Sequence, residues 1–381
     1  MKNLCKLLAV CGLVLGLALP ALAAEPIKIG ALYNLTGGMS SIDVPSLNGA
    51  KLKAKMINEA GGLLGRQIEI IGIDCKTDQK AAAIGAKKVL GDDIVAGIGL
   101  SDPAFVLPSA PLFQKKGIPF VTSGATLPTL PAMVGDCMFL APYGDNVQAH
   151  AIADYAVKDL GLKKIAVWTD NSMDFTKTLA KFFKQGVKDG GSEIVLEDFF
   201  MSGDKDFSAQ IARLKASGAD AVFVSACPNE AGLSVKQIRE AGLEMPILSG
   251  DGFDTELVAD VPGKKLAHGI YFTTHTFRNE TRPEVLEFIK AYKAEYGVEP
   301  ENAFAALGYD AMGLVANAIK TAGSAKPADI RMALSETVNY PAVTGGITFK
   351  GNGGVPLKSV SIINVTDGEY TVKHVWNPNA K

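Results

Sequence analysis

The chain has 381 residues, 38 basic and 40 acidic, a formal net charge of −2 and 48% apolar side chains. Such near-neutral, interspersed charge offers no basic face for nucleic acid or an anionic membrane, and the length suits two domains or one large one. Past residue 23 no stretch approaches the roughly 20 apolar residues of a membrane span, so a soluble product is expected.

In chain order, Lys2 and Lys6 precede an apolar stretch over 7–19 and the small-x-small triplet ALA at 21–23. That layout predicts a secretory signal peptide over residues 1–23. The alternative is a lipoprotein signal ending at Cys11, but Val10 before it is bulky and the apolar stretch would be truncated. Export permits disulfides, yet Cys75, Cys137 and Cys227 form an odd set, so at most one bridge is expected. Their spacing matches no zinc site, and small buried hydrophobes are the plainer reading.

From Ile27 onward, short apolar runs alternate with helical patterns. "IKIGALYN" (27–34) reads as a buried strand, and a helix follows from Asp43 to about residue 60 with Leu47, Ala50, Ala54 and Ile57 inward. Gly61-Gly62 ends it. Strands are predicted over 67–74, 94–100 and 118–123, with helices over 79–90 and 102–116. The latter is capped by Asp102 and opened by Pro103. Asp145-x-x-Gln148 resembles a capping box at the head of the next helix. The rhythm continues with strands over 164–169, 193–200, 220–226 and 245–250 and helices over 172–189, 206–218 and 229–242. The tail over 345–376 has the pattern of antiparallel strands.

Alternation of this kind builds parallel sheets with helices on both faces. A closed eight-unit barrel is the rival, but the chain is long for it and the tail does not fit. Two open α/β lobes are expected. Ligands of open sheets sit beyond the carboxyl ends of the strands. "VTSGAT" (121–126) and Ser101-Asp102 occupy such places in the first lobe. Residues 170–175, 227–230 and Asp251-Gly252 match them in the second.

Catalytic motifs do not emerge. "GIGLSD" (97–102) lacks the third glycine of a dinucleotide loop, and no phosphate-loop motif occurs. The four histidines are scattered. "VTSGAT" and "ILSGDG" both fail the nucleophile-elbow pattern, and "DNSMD" (170–174) lacks the glycine and glutamate of a calcium loop. The strand ends supply hydrogen-bonding groups without a base beside a nucleophile, so no catalytic residue, metal or cofactor is expected.

Six segments in order carry a resemblance. They are "IKIGALYNLTG" with "NGAKLKAKMINEAGGLLGRQIEI", then "GIPFVTSGAT", "GDKDFSAQIARLKASGADAVFVSA", "IREAGL", "PILSGDGF" and "ENAFAALGYDA". Together they resemble the type I periplasmic binding proteins, and more narrowly the branched-chain (Leu/Ile/Val) amino-acid-binding family of ABC transporters. The resemblance implies an α/β fold of two open parallel-sheet lobes joined by a three-strand hinge. Lobe one would be 24–143 plus 276–343, lobe two 144–275 plus 344–381, with crossings near Tyr143-Gly144, His275 and Thr344-Gly345. It also implies a periplasmic monomer that closes over a small amino acid or similar carboxylate and docks on an ABC permease in the inner membrane. A ligand-sensing module for a receptor, with an aromatic acid or amide as ligand, is the alternative.

By the same resemblance, Ser123, Gly124, Ala125 and Thr126 hold the ligand's carboxylate and amino group, with Ser101 adding a contact. A strand-to-helix turn with free N–H groups would favour an anion there. Thr126 could instead cap a following helix. Asp251 aligns with the acidic residue that pairs with the α-ammonium, its rival role being a plain Gly-Asp-Gly turn. The chain departs from the family where Ile42 and Cys227 replace tyrosines and where Asp174-Phe175 meets an expected aromatic wall. The family's disulfide is also expected to be missing. Tyr143, Phe175 and Phe277 are then candidates for an apolar wall, while Trp168 fits core packing.

Overall fold

The computed structural model describes residues 24–277 and 279–378, so the expected signal peptide over 1–23 lies outside the described residues. The first sheet contains β1 (Ile27–Tyr33), β2 (Ile68–Asp74), β3 (Ala96–Gly99), β4 (Phe120–Thr122) and β5 (Met138–Leu140). Their order is β2-β1-β3-β4-β5, and every pair is parallel. The second sheet contains β6 (Lys164–Asp170), β7 (Glu193–Phe200), β8 (Ala221–Ser225), β9 (Ile247–Ser249), β10 (Ile270–Thr274), β11 (Val360–Thr366) and β12 (Glu369–Trp376). Here the order is β12-β11-β10-β9-β8-β6-β7, parallel except where β11 pairs with β10 and β12.

Five strands in each sheet thus follow the same path, and each sheet reverses its winding once. The reversal falls between β1 and β3 in the first sheet and between β6 and β8 in the second. Helices leave to opposite faces at such a point, so a crevice opens beyond the strand ends. The interior strands are continuous apolar runs, because parallel strands are covered on both faces. β8 is buried from end to end, whereas edge strand β12 alternates exposed and half-buried residues.

Several sequence expectations change in detail. The helix predicted over 102–116 is two, Pro103–Val106 and Ala110–Lys116. Pro108 stands between them and has no N–H to continue the ladder. Asp102 does cap the first piece, accepting from the Ala104 amide at 2.7 Å. Asp145 and Gln148 form no capping box. Gly144 occupies the cap position, and the Gln148 amide instead donates to the Asp145 carboxyl at 3.0 Å. In the tail, the stretch at 345–350 makes only a bridge from Ile347 to Tyr340 before β11 and β12. Cys75, Cys137 and Cys227 are all buried and free, so no bridge forms among them.

One contact ties distant parts of the sequence into the first lobe. Helix Ser40–Glu59 lies against helix Ala303–Ala322, which also touches β3 and β4. A Cβ built on Gly49 would stand 1.8 Å from the Ala305 carbonyl oxygen, and one on Gly308 would stand 1.8 Å from that of Ser46. The two backbones therefore meet directly, at positions where any side chain would collide. Helix Ala303–Ala322 is apolar on nearly every side because neighbours enclose it. In the second lobe Trp168 packs in the core, stacked near Phe207, as expected for it.

Candidate functional site

Loops from the carboxyl ends of both sheets meet around one narrow cavity. The first sheet contributes Met39 and Ile42 after β1, Ser101 and Asp102 after β3, and Gly124 and Thr126 after β4. The second contributes Phe175 after β6, Cys227 and Pro228 after β8, and Asp251 and Gly252 after β9. Phe304 enters from the first turn of helix Ala303–Ala322. Both winding reversals thus face the same space, and the two sheets enclose it from opposite sides.

Six of the nine residues expected at the site line this cavity: Ser101, Gly124, Thr126, Phe175, Cys227 and Asp251. The other three stand behind the wall. Ser123 is buried and accepts from the Ser46 hydroxyl at 3.0 Å, Ala125 is fully buried, and Tyr143 stacks on His275 with ring centroids 3.9 Å apart. Tyr143 was expected in the apolar wall, but its hinge-side position puts it one layer deeper. Phe277 borders a separate recess with Val285 and Phe288. The apolar wall is instead Met39, Ile42, Phe175 and Phe304. Of these, Met39 and Phe304 carried no signal of their own in the sequence, although Phe304 belongs to the "ENAFAALGYDA" segment.

Asp251 is the best-supported polar group. It opens a short 3-10 turn, Asp251–Phe253, and is 2% exposed. Gln148 donates to its Oδ1 at 3.0 Å while accepting from its backbone amide at 3.0 Å. The Thr273 hydroxyl donates to the same Gln148 oxygen at 2.8 Å. The other carboxylate oxygen lies 2.9 Å from His275 Nε2. Burial pulls the His275 pKa down, against the opposing pull of Asp251, so the imidazole is neutral near pH 7. A carboxylate only accepts, hence Nε2 carries the proton and the buried Nδ1 is bare. Sequence reading missed Gln148 and His275 in these roles, because their partner lies in another element.

The first-lobe face is also built from acceptors. Asp43, fully buried, receives the Asn34 amide at 2.7 Å and the Ser101 hydroxyl. Burial pushes its pKa up to about 6. Ser101 therefore spends its proton on Asp43 and turns lone pairs to the cavity. The expected anion-favouring helix start after β4 is absent too. Thr122 takes the amides of Ala125 at 3.0 Å and Gly124 at 3.4 Å, and the next helix begins only at Leu130. Thr126 does not cap that helix either, since Thr129 holds the position. Gly124 is required by close approach: a Cβ there would stand 2.5 Å from the Ser101 hydroxyl.

Among the described residues no lysine or arginine lines the cavity. Cys227 is held as a thiol, its pKa pushed well up by burial and then by Asp102 and Asp170. Such a surface can bind and orient a small polar molecule, but it presents no activated nucleophile.

The chain matches the periplasmic binding protein family over residues 26–369. It is 30% identical to Leu/Ile/Val-binding protein homolog 3 of Brucella melitensis, over 91% of this chain and 93% of that one. Its structure is similar to that of the branched-chain amino acid transporter substrate binding protein LivJ from Streptococcus pneumoniae, solved with isoleucine. The TM-score is 0.86 and the identity 31%, over 92% of this chain and 99% of that one. The leucine binding protein LivK from Thermotoga maritima gives the same TM-score of 0.86 and identity of 31%, over 93% and 99%.

Proposed function

Because the chain belongs to the periplasmic binding protein family, we propose that it captures a small amino acid between its lobes and delivers it to an ABC permease. The family binds solutes rather than transforming them, and its place is the periplasm. Leucine, isoleucine and valine enter as candidate ligands through the relatives' names. The signal peptide over 1–23 and a monomeric state belong to the same proposal.

The observation that carries the reading is Asp251. It is a buried carboxylate on the cavity wall whose protein partners are a neutral amide and a neutral imidazole. Among the described residues no cation lines the cavity beside it, so an α-ammonium of the ligand supplies the counter-charge. Ligand bridging both lobes favours the closed arrangement by its differential affinity alone. The lobe limits remain those expected from the sequence, 24–143 plus 276–343 and 144–275 plus 344–381. The return of helix Ala303–Ala322 to the first sheet and of β11 and β12 to the second supports them.

A thermal-shift screen of the twenty amino acids, with benzoate and simple amides as comparison, tests this. A ligand at 100 times its Kd stabilises the native state by about 2.7 kcal/mol. An upward shift with amino acids is expected. Shifts with the amine-free acids alone would overturn the reading.

A further inference from the structure

The geometry points to Asp102 as a second recognition carboxylate, one that selects amino acids whose side chain carries a hydrogen-bond donor over those with a purely aliphatic chain. This rests on the amino-acid reading above and goes further, naming the side-chain class.

Asp102 lies at the first-lobe winding reversal, lines the cavity and is 1% exposed. One oxygen caps the following helix through the Ala104 amide at 2.7 Å. The other, Oδ2, is buried and has no hydrogen-bond partner among the described residues. A buried carboxylate oxygen left unpaired is costly, and in a binding cavity a ligand donor relieves it. Next to it, Ser101 has committed its proton to Asp43, so it too offers only lone pairs. With Asp102 ionised, these two adjacent side chains of the first lobe both accept. Asp251 on the opposite lobe already answers the α-ammonium, which leaves the Asp102 end for the side chain. Burial, then Asp174, Asp170 and Asp43, push the Asp102 pKa up to about 7, so Oδ2 accepts as the ionised carboxylate above that pH, the form that a ligand N–H or O–H favours.

Isosteric pairs test this directly. Leucine and asparagine differ chiefly in two methyls against an amide, and valine and threonine in one methyl against a hydroxyl. Calorimetric Kd values for all four are measured on the wild type, on Asp102→Asn, and on Asp102→Ser, which keeps a capping oxygen. Sites built around a polar partner reject the apolar isostere strongly, so asparagine or threonine is expected to bind at least about tenfold tighter than its isostere. Asp102→Asn turns the free acceptor into a donor and should erase that preference. Wild type favouring leucine and valine, or variants weakening all four ligands equally, overturns the inference and leaves the amino-acid reading standing. Absence of binding by every amino acid overturns both. Ligand-free melting of each variant separates lost binding from lost fold.

Discussion

Asp251→Asn isolates one charge at nearly constant shape. An asparagine can keep its oxygen toward Gln148 Nε2, where the carboxylate now accepts at 3.0 Å. Its amide nitrogen then faces His275 Nε2 at 2.9 Å, two donors opposed. The clash is relieved when the imidazole proton moves to Nδ1, a buried atom with no partner among the described residues. The fold should therefore survive, with a ligand-free melting temperature near that of the wild type. Binding should not. A hydrogen bond between a charged pair contributes roughly 1.5–3 kcal/mol, which at about 1.4 kcal/mol per decade is a weakening of roughly 10- to 100-fold. Calorimetric titration of the amino acid found by thermal shift, paired with its amine-free analogue, measures this. The amino acid should lose affinity and the analogue should not. A Kd for the amino acid within twofold of wild type, with the fold intact, would refute the pairing.

Three further outcomes follow from the same geometry. Gln148→Leu strands the Asp251 amide, one Asp251 oxygen and the Thr273 hydroxyl, so urea unfolding should show a loss of roughly 2–4 kcal/mol together with weaker binding. Lys358 is buried against the Ala141 carbonyl and the Thr344 hydroxyl, and burial pulls its pKa from 10.5 to about 7. Between those values the unfolded chain holds a proton that the folded chain does not, so this lysine makes stability rise with pH. Lys358→Met should flatten the rise of urea midpoints from about pH 7 to 9.5, and an unchanged slope would count against the assignment. Gly308→Val should cost about 3 kcal/mol by overpacking against Ser46, while Gly346→Ala, where a Cβ meets nothing within 4 Å, should be neutral.

The alternation of apolar strands and amphipathic helices was legible because its periods differ, and it led directly to two parallel sheets. What escaped was structure whose cause is remote. β5 and β10 were not predicted, since neither follows an amphipathic helix recognised in the sequence. Helix Ala303–Ala322 is apolar all round, so it shows no stripe. At the site, position beyond a strand end found Ser101, Gly124, Thr126, Phe175, Cys227 and Asp251, since topology alone brings such loops together. It did not show where the Ser101 proton goes, because the partner that takes it, Asp43, is 58 residues away. Tyr143 and Ser123 were misplaced by one layer for a similar reason: a strand-end loop has an inner and an outer face, and sequence does not say which.

The close approach of the two helices at Gly49 and at Gly308 bears on the order in which the molecule assembles. The first sheet is complete by residue 140, yet its covering helix arrives only after residue 302. The second sheet likewise waits for strands that begin at residue 360. A chain growing from its amino end thus finishes its first body only after residue 302 and its second only after residue 360, and it stays pliable for most of its synthesis. Fragments ending near residue 300 should behave as two open-sided, sticky halves rather than as one sound domain with a ragged tail.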